Sequence, residues 1–227
     1  DSQSVTRDGG MSNWDMMLDF VVKVAGKFNV GDTSDSTRVG LGVFSSQSKY
    51  QLELGFNPAG EKTDSTNAGF AAAVKSAPTN RYTGGARTNT ASAIRDIGYH
   101  LMNIYHPGQT DHGPRPASKK VPKVLIILTD GGSSRGQHGG DEAQKLKDAG
   151  VTVIAVGVKG FLKSELDDMA SFPKAEHVFT FREFEELSQS VNAVAQTVCD
   201  AVAGSSGSSD SAADSAASQE LGDSNQY

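Results

Sequence analysis

Five consecutive residues, Val124-Leu125-Ile126-Ile127-Leu128, are apolar without interruption, and Thr129-Asp130-Gly131-Gly132 follows at once. A run with no polar alternation marks a strand covered by helices on both faces, the arrangement of a parallel sheet rather than of a half-solvated antiparallel one. Val151 to Val158 (VTVIAVGV) repeats the pattern after a helical stretch over 138–149. Around these two strands the spacing predicts helices over 12–28, 64–76, 88–105, 162–171 and from Glu183 to about 203, and a strand over 177–181. Residues 38–46 form a short, nearly continuous apolar strand, whereas Tyr50, Leu52, Leu54 and Phe56 alternate with polar residues, as an edge strand does. The turn at 45–48 joins these two as an antiparallel hairpin. Strands alternating with helices give an α/β fold: a doubly wound, mostly parallel sheet with one antiparallel edge strand and helices on both faces. Ligands of such sheets bind at the carboxyl ends of the strands.

Composition narrows the function. The chain has 227 residues, 37% hydrophobic, enough for a real core in one domain. Twenty-one basic against 27 acidic residues, net charge −6, argue against nucleic acid as a partner. No stretch has the eighteen or so apolar residues of a membrane span. From Gly204 to Tyr227 the chain is mostly Ser, Ala, Gly and Asp, with Asp210, Asp214, Glu220 and Asp223 and no Lys or Arg. That segment buries too little to offset its ordering entropy, so residues 1–203 are expected to form the domain and 204–227 a disordered tail or linker. One cysteine, Cys199, excludes a disulfide scaffold and a cysteine-ligated zinc site.

Three segments sit where a sheet of this kind puts its ligands: Asp1-Ser2-Gln3-Ser4-Val5, Gly84-Gly85-Ala86-Arg87-Thr88-Asn89-Thr90 and Thr129-Asp130-Gly131-Gly132. They offer hydroxyls and one or two carboxylates, with no thiolate or imidazole. Hard oxygen donors in small number suit Mg²⁺, with Ca²⁺ or Mn²⁺ able to substitute. Each segment also has a plainer reading. The serines can cap a helix, Thr88 can cap the helix after it, and Asp130 can be a turn residue. Of His100, His106, His112, His138 and His177, which invite a zinc reading, His106 and His112 share a Pro-rich loop without carboxylate or cysteine company at ligand spacing and are read as loop histidines. No Gly-x-x-x-x-Gly-Lys loop is present, and Gly131-Gly132-Ser133-Ser134 is read as the flanking turn of the site rather than as a phosphate cradle.

Taken in order, the three segments resemble the metal-ion-dependent adhesion site of the von Willebrand factor A domain family. Its pattern is Asp-x-Ser-x-Ser, then a Thr in a Gly-rich turn, then an Asp in a Thr-Asp-Gly turn, and the likeness covers residues 1–202. The resemblance implies a metal held by Ser2, Ser4, Asp130 and Thr88, rimmed by Gly85, Arg87, Asn89 and Gly131. Aligned on Ser4-Val5, the pattern's first aspartate falls one residue before Asp1; in a second register Asp1 is itself the ligand. The family's first strand would then lie upstream, and so would the partner that the resemblance implies for Cys199. It also implies a secreted, non-enzymatic domain of the extracellular matrix type, similar to the A domains of matrilins, collagen VI and mussel byssal thread matrix proteins. Such a domain takes an acidic side chain from a matrix protein such as collagen. A metal-independent, self-associating spacer and a metal-dependent hydrolase remain alternatives.

Overall fold

The computed structural model describes residues 11–31, 33–45, 48–53, 66–76, 87–98, 121–134 and 136–207. Helix α1 (Asn13–Ala25) begins at a reciprocal cap. The Asp15 amide donates to Ser12 Oγ at 3.1 Å, and the Ser12 amide donates back to Asp15 Oδ2 at 3.3 Å. The helix ends at Ala25, three residues short of the expected 28, with Gly26 as its C-cap, because the next two amides turn back on Val24 and Ala25. Asn67, the first residue of α2 (Asn67–Lys75), ties down the chain that follows. Its Oδ1 accepts from the Val30 amide at 3.0 Å and its Nδ2 donates to the Phe28 carbonyl at 2.9 Å.

Strands β1 (Gly40–Phe44) and β2 (Ser48–Glu53) pair antiparallel, as the hairpin expectation required. After them come α3 (Thr90–Ala93), continued by a π-helical turn over Ile94–Gly98, then β3 (Lys123–Gly131), α4 (Gly140–Asp148) and β4 (Val151–Gly160). The chain closes with α5 (Lys163–Met169), the single turn α6 (Lys174–His177), β5 (Val178–Phe181) and α7 (Glu186–Gly207). Strands β3, β4 and β5 form a parallel sheet in that order. Helix α7 runs four residues past the expected domain end at 203.

Side-chain alternation along β4 divides the core. Val151, Val153 and Ala155 face Ala143 and Leu146 of α4 and Leu166 and Met169 of α5. Ile154, Val156 and Val158 face Phe20 and Val24 of α1 and Leu187, Val191 and Val194 of α7. Helices therefore cover both faces, and each fully buried aliphatic side chain contributes about 1.5–3 kcal/mol. The two apolar runs read alike in the sequence, but β4 is the more enclosed strand. Ile154 and Val156 are wholly buried, whereas Val124, Leu125, Ile126 and Leu128 of β3 are only half-buried. The reason is pairing: among the described residues β4 has a strand on each side and β3 has only β4.

Candidate metal-binding site

All three parallel strands end on the same side, and the two described site segments meet there. At the end of β3 the ladder slips: Thr129 opposes Gly157 and Gly131 opposes Gly160, so Asp130 faces two residues, Val158 and Lys159. Lys159 takes up the extra length with a φ of 63°, a left-handed conformation that costs a non-glycine residue about 1–2 kcal/mol. Bulges of this kind re-aim a side chain where a strand ends. Gly160 then passes close under the backbone, where a Cβ would lie 2.8 Å from the Asp130 carbonyl oxygen. The buried Thr129 hydroxyl donates to the Gly131 carbonyl at 2.8 Å and closes the turn.

Thr88 is joined to that turn from the other side. Its amide donates to Ser134 Oγ at 3.1 Å, and the Ser134 amide donates to the Thr88 carbonyl at 2.8 Å. Two residues on, the buried Thr90 hydroxyl bonds the Ser133 hydroxyl. The structure thus brings the Thr88 segment and the Asp130 turn together. Ser2, Ser4, Asp1 and Gly85 lie outside the described residues. Asn89 is the N-cap of α3, its Oδ1 accepting from the Ser92 amide at 2.9 Å, so the capping role open to Thr88 is filled by its neighbour. Ser12 likewise caps α1. Arg87 is exposed and Gly131 half-buried at the rim.

Sequence reasoning missed Glu165. This carboxylate in the first turn of α5 is only 6% exposed, yet it reaches the turn after Asp130. Its Oε2 accepts from the Ser133 amide at 2.8 Å, its Oε1 from the Ser133 hydroxyl, and His138 Nδ1 stands 3.8 Å away. Nothing local marks it, since Ser164-Glu165-Leu166-Asp167-Asp168 reads as an ordinary charged helix start. His177 is buried with Nδ1 3.0 Å from the Pro173 carbonyl, a structural contact. Cys199 is a free, exposed cysteine. Among the described residues no three His, Cys, Asp or Glu side chains form a metal cage. The donors that do gather at this end are a carboxylate and hydroxyls, a set that fits a hard divalent cation.

The profile of the von Willebrand factor type A domain matches residues 1–193. The chain belongs to this family. This A domain is 31% identical to mouse matrilin-2 over 209 residues, covering 90% of the chain and 19% of that protein. It is 29% identical to the collagen α-1(XII) chain of Notophthalmus viridescens over 202 residues, covering 87% of the chain and 19% of the relative. With cochlin of Cavia porcellus it shares 32% over 192 residues, 84% of the chain and 30% of the relative. It therefore spans less than a third of the length of these relatives. Among solved structures, proximal thread matrix protein 1 of the mussel byssus, with a zinc-occupied MIDAS motif, superposes with a TM-score of 0.64 at 24% identity. That match covers 87% of this chain and 43% of the byssal protein and establishes the shared fold. Among the described residues no helix is long and apolar enough to cross a membrane.

Proposed function

We propose that this A domain is a non-enzymatic adhesion module of a secreted extracellular matrix protein that binds a collagen-like partner through a divalent cation. The observation that carries the reading is the pair of reciprocal bonds between Thr88 and Ser134, which fixes one candidate donor loop against the turn that presents Asp130. Ser2, Ser4 and Asp130 would hold the metal, with Thr88 directly or through a water; in the second register Asp1 joins them. So few anionic donors leave a bound Mg²⁺, Ca²⁺ or Mn²⁺ under-neutralised, with an open position that accepts a partner's Asp or Glu carboxylate. The chain's own residues supply the frame. In this reading the β4 bulge opposite Asp130 would set the direction of that residue, the Ser134 bonds hold the Thr88 segment, and Gly85, Arg87, Asn89 and Gly131 would form the rim that a partner meets. Support for a divalent cation comes from the zinc in the MIDAS motif of the byssal protein, and support for a matrix setting from the collagen and matrilin relatives. The acidic tail from 204 suits a linker between matrix modules.

The test is binding to immobilised collagen in Mg²⁺ and in EDTA, with Asp130→Ala alongside. Binding should vanish in EDTA and in the variant while the far-UV circular dichroism stays unchanged. Binding that persists in EDTA would turn the reading toward a metal-independent spacer, and Mg²⁺-dependent turnover of a phosphoester toward a hydrolase.

A further inference from the structure

We infer that Glu165 is a positioning residue for the metal site, holding the Asp130 turn and the Thr88 segment in one register through Ser133. The inference rests on the metal-site reading above. A carboxylate this deeply buried is costly unless its oxygens are hydrogen-bonded, and both Glu165 oxygens accept from Ser133. The hydroxyl bonds also have a direction. Ser133 has one hydroxyl proton and an ionised carboxylate can only accept, so Ser133 Oγ donates to Glu165. The contact between Ser133 and Thr90 must then have Thr90 as its donor. An ordered chain runs from Thr90 on α3 through Ser133 to Glu165 on α5, each link polarising the next. Thr90 is two residues from Thr88, and Ser133 three from Asp130. A single buried charge therefore sets where both candidate donors stand relative to each other. Outer groups that orient ligands in this way typically change metal affinity by about 10–100-fold when removed.

Glu165→Gln keeps the shape but replaces one of the two acceptor oxygens by an NH2 donor, so the Thr90–Ser133 chain must reverse its direction or lose a bond. Ser133→Ala removes the bridging hydroxyl and leaves the charge. Leu146→Ala, fully buried on α4 against the far part of the sheet, serves as a destabilised control. The experiment measures Mn²⁺ affinity by calorimetry and, in EDTA, amide hydrogen exchange at Ser133 and Ser134. Both Glu165→Gln and Ser133→Ala should weaken Mn²⁺ binding by about 10–100-fold. Both should also speed exchange at the two amides without metal, while Leu146→Ala leaves Mn²⁺ affinity unmoved. Wild-type affinity in Glu165→Gln overturns the inference alone. So does a loss in Glu165→Gln without one in Ser133→Ala, which assigns the effect to charge rather than register, and so does an equal loss in Leu146→Ala. A wild-type protein that takes up no Mn²⁺ overturns the metal reading and this inference with it.

Discussion

Two glycines beside Asp130 tolerate a methyl group very differently. At Gly160 the new Cβ would meet backbone, the Asp130 carbonyl oxygen at 2.8 Å, and neither strand of the bulge can yield without shifting the other. Gly160→Ala should therefore lower stability by about 1–3 kcal/mol, the usual range for forced overpacking, in urea unfolding. Because the displaced atom belongs to Asp130, Mn²⁺ binding should weaken in the same variant. At Gly132 the Cβ would meet Leu162 Cδ1 at 2.4 Å, but Leu162 is 49% exposed and can swing into solvent. Gly132→Ala should melt within a degree or two of the parent, in keeping with the small effect of most surface substitutions. The sequence shows both residues only as glycines near a turn. That one lies against backbone and the other against a mobile side chain is decided by how β3 and β4 end.

Single elements were mostly legible, and their boundaries less so. The apolar stripe of α1 is plain in the sequence, but its start depends on Ser12 and Asp15 bonding each other, and its end falls at the Gly26 cap rather than at 28. Ser12→Ala should cost about 1 kcal/mol, read as a lower unfolding midpoint with an unchanged slope. On the opposite face of the sheet, Lys147 of α4 reaches across to α5, where its Nζ donates to the carbonyls of Asp168 and Ala170 at 3.1 and 3.2 Å. Burial, and then the nearby Lys174, hold the Lys147 pKa below its ordinary value. The folded chain thus binds fewer protons at this site than the unfolded chain in the alkaline window just below the ordinary lysine value. Burial lowers the Lys123 pKa in the same way, so stability should rise with pH there, and the rise should be smaller in Lys147→Met when melting is followed across that window. His177 is buried with its Nδ1 3.0 Å from the Pro173 carbonyl, a contact that its place at the start of an expected strand did not reveal.

For the molecule as a whole, a ligand that binds only the folded state stabilises it by mass action. Addition of Mg²⁺ or Mn²⁺ should raise the melting temperature, EDTA should reverse the rise, and Asp130→Ala should abolish it; a melting temperature indifferent to divalent ions would contradict the proposed site. The fold class, the hairpin, the parallel sheet and the grouping of the Thr88 and Asp130 segments were set by the chain's own pattern. Runs of β-branched residues can be buried in few ways, and polar turns collect at strand ends. The pattern could not tell that β4 rather than β3 is the enclosed strand, since two apolar runs look alike until each acquires its neighbours. Nor could it show Glu165, thirty-two residues from Ser133 along the chain, as part of the site. A carboxylate on a charged helix start is ordinary in one dimension; only the packing of α5 on β4, beside the turn that follows β3, removes its water and leaves Ser133 to satisfy it.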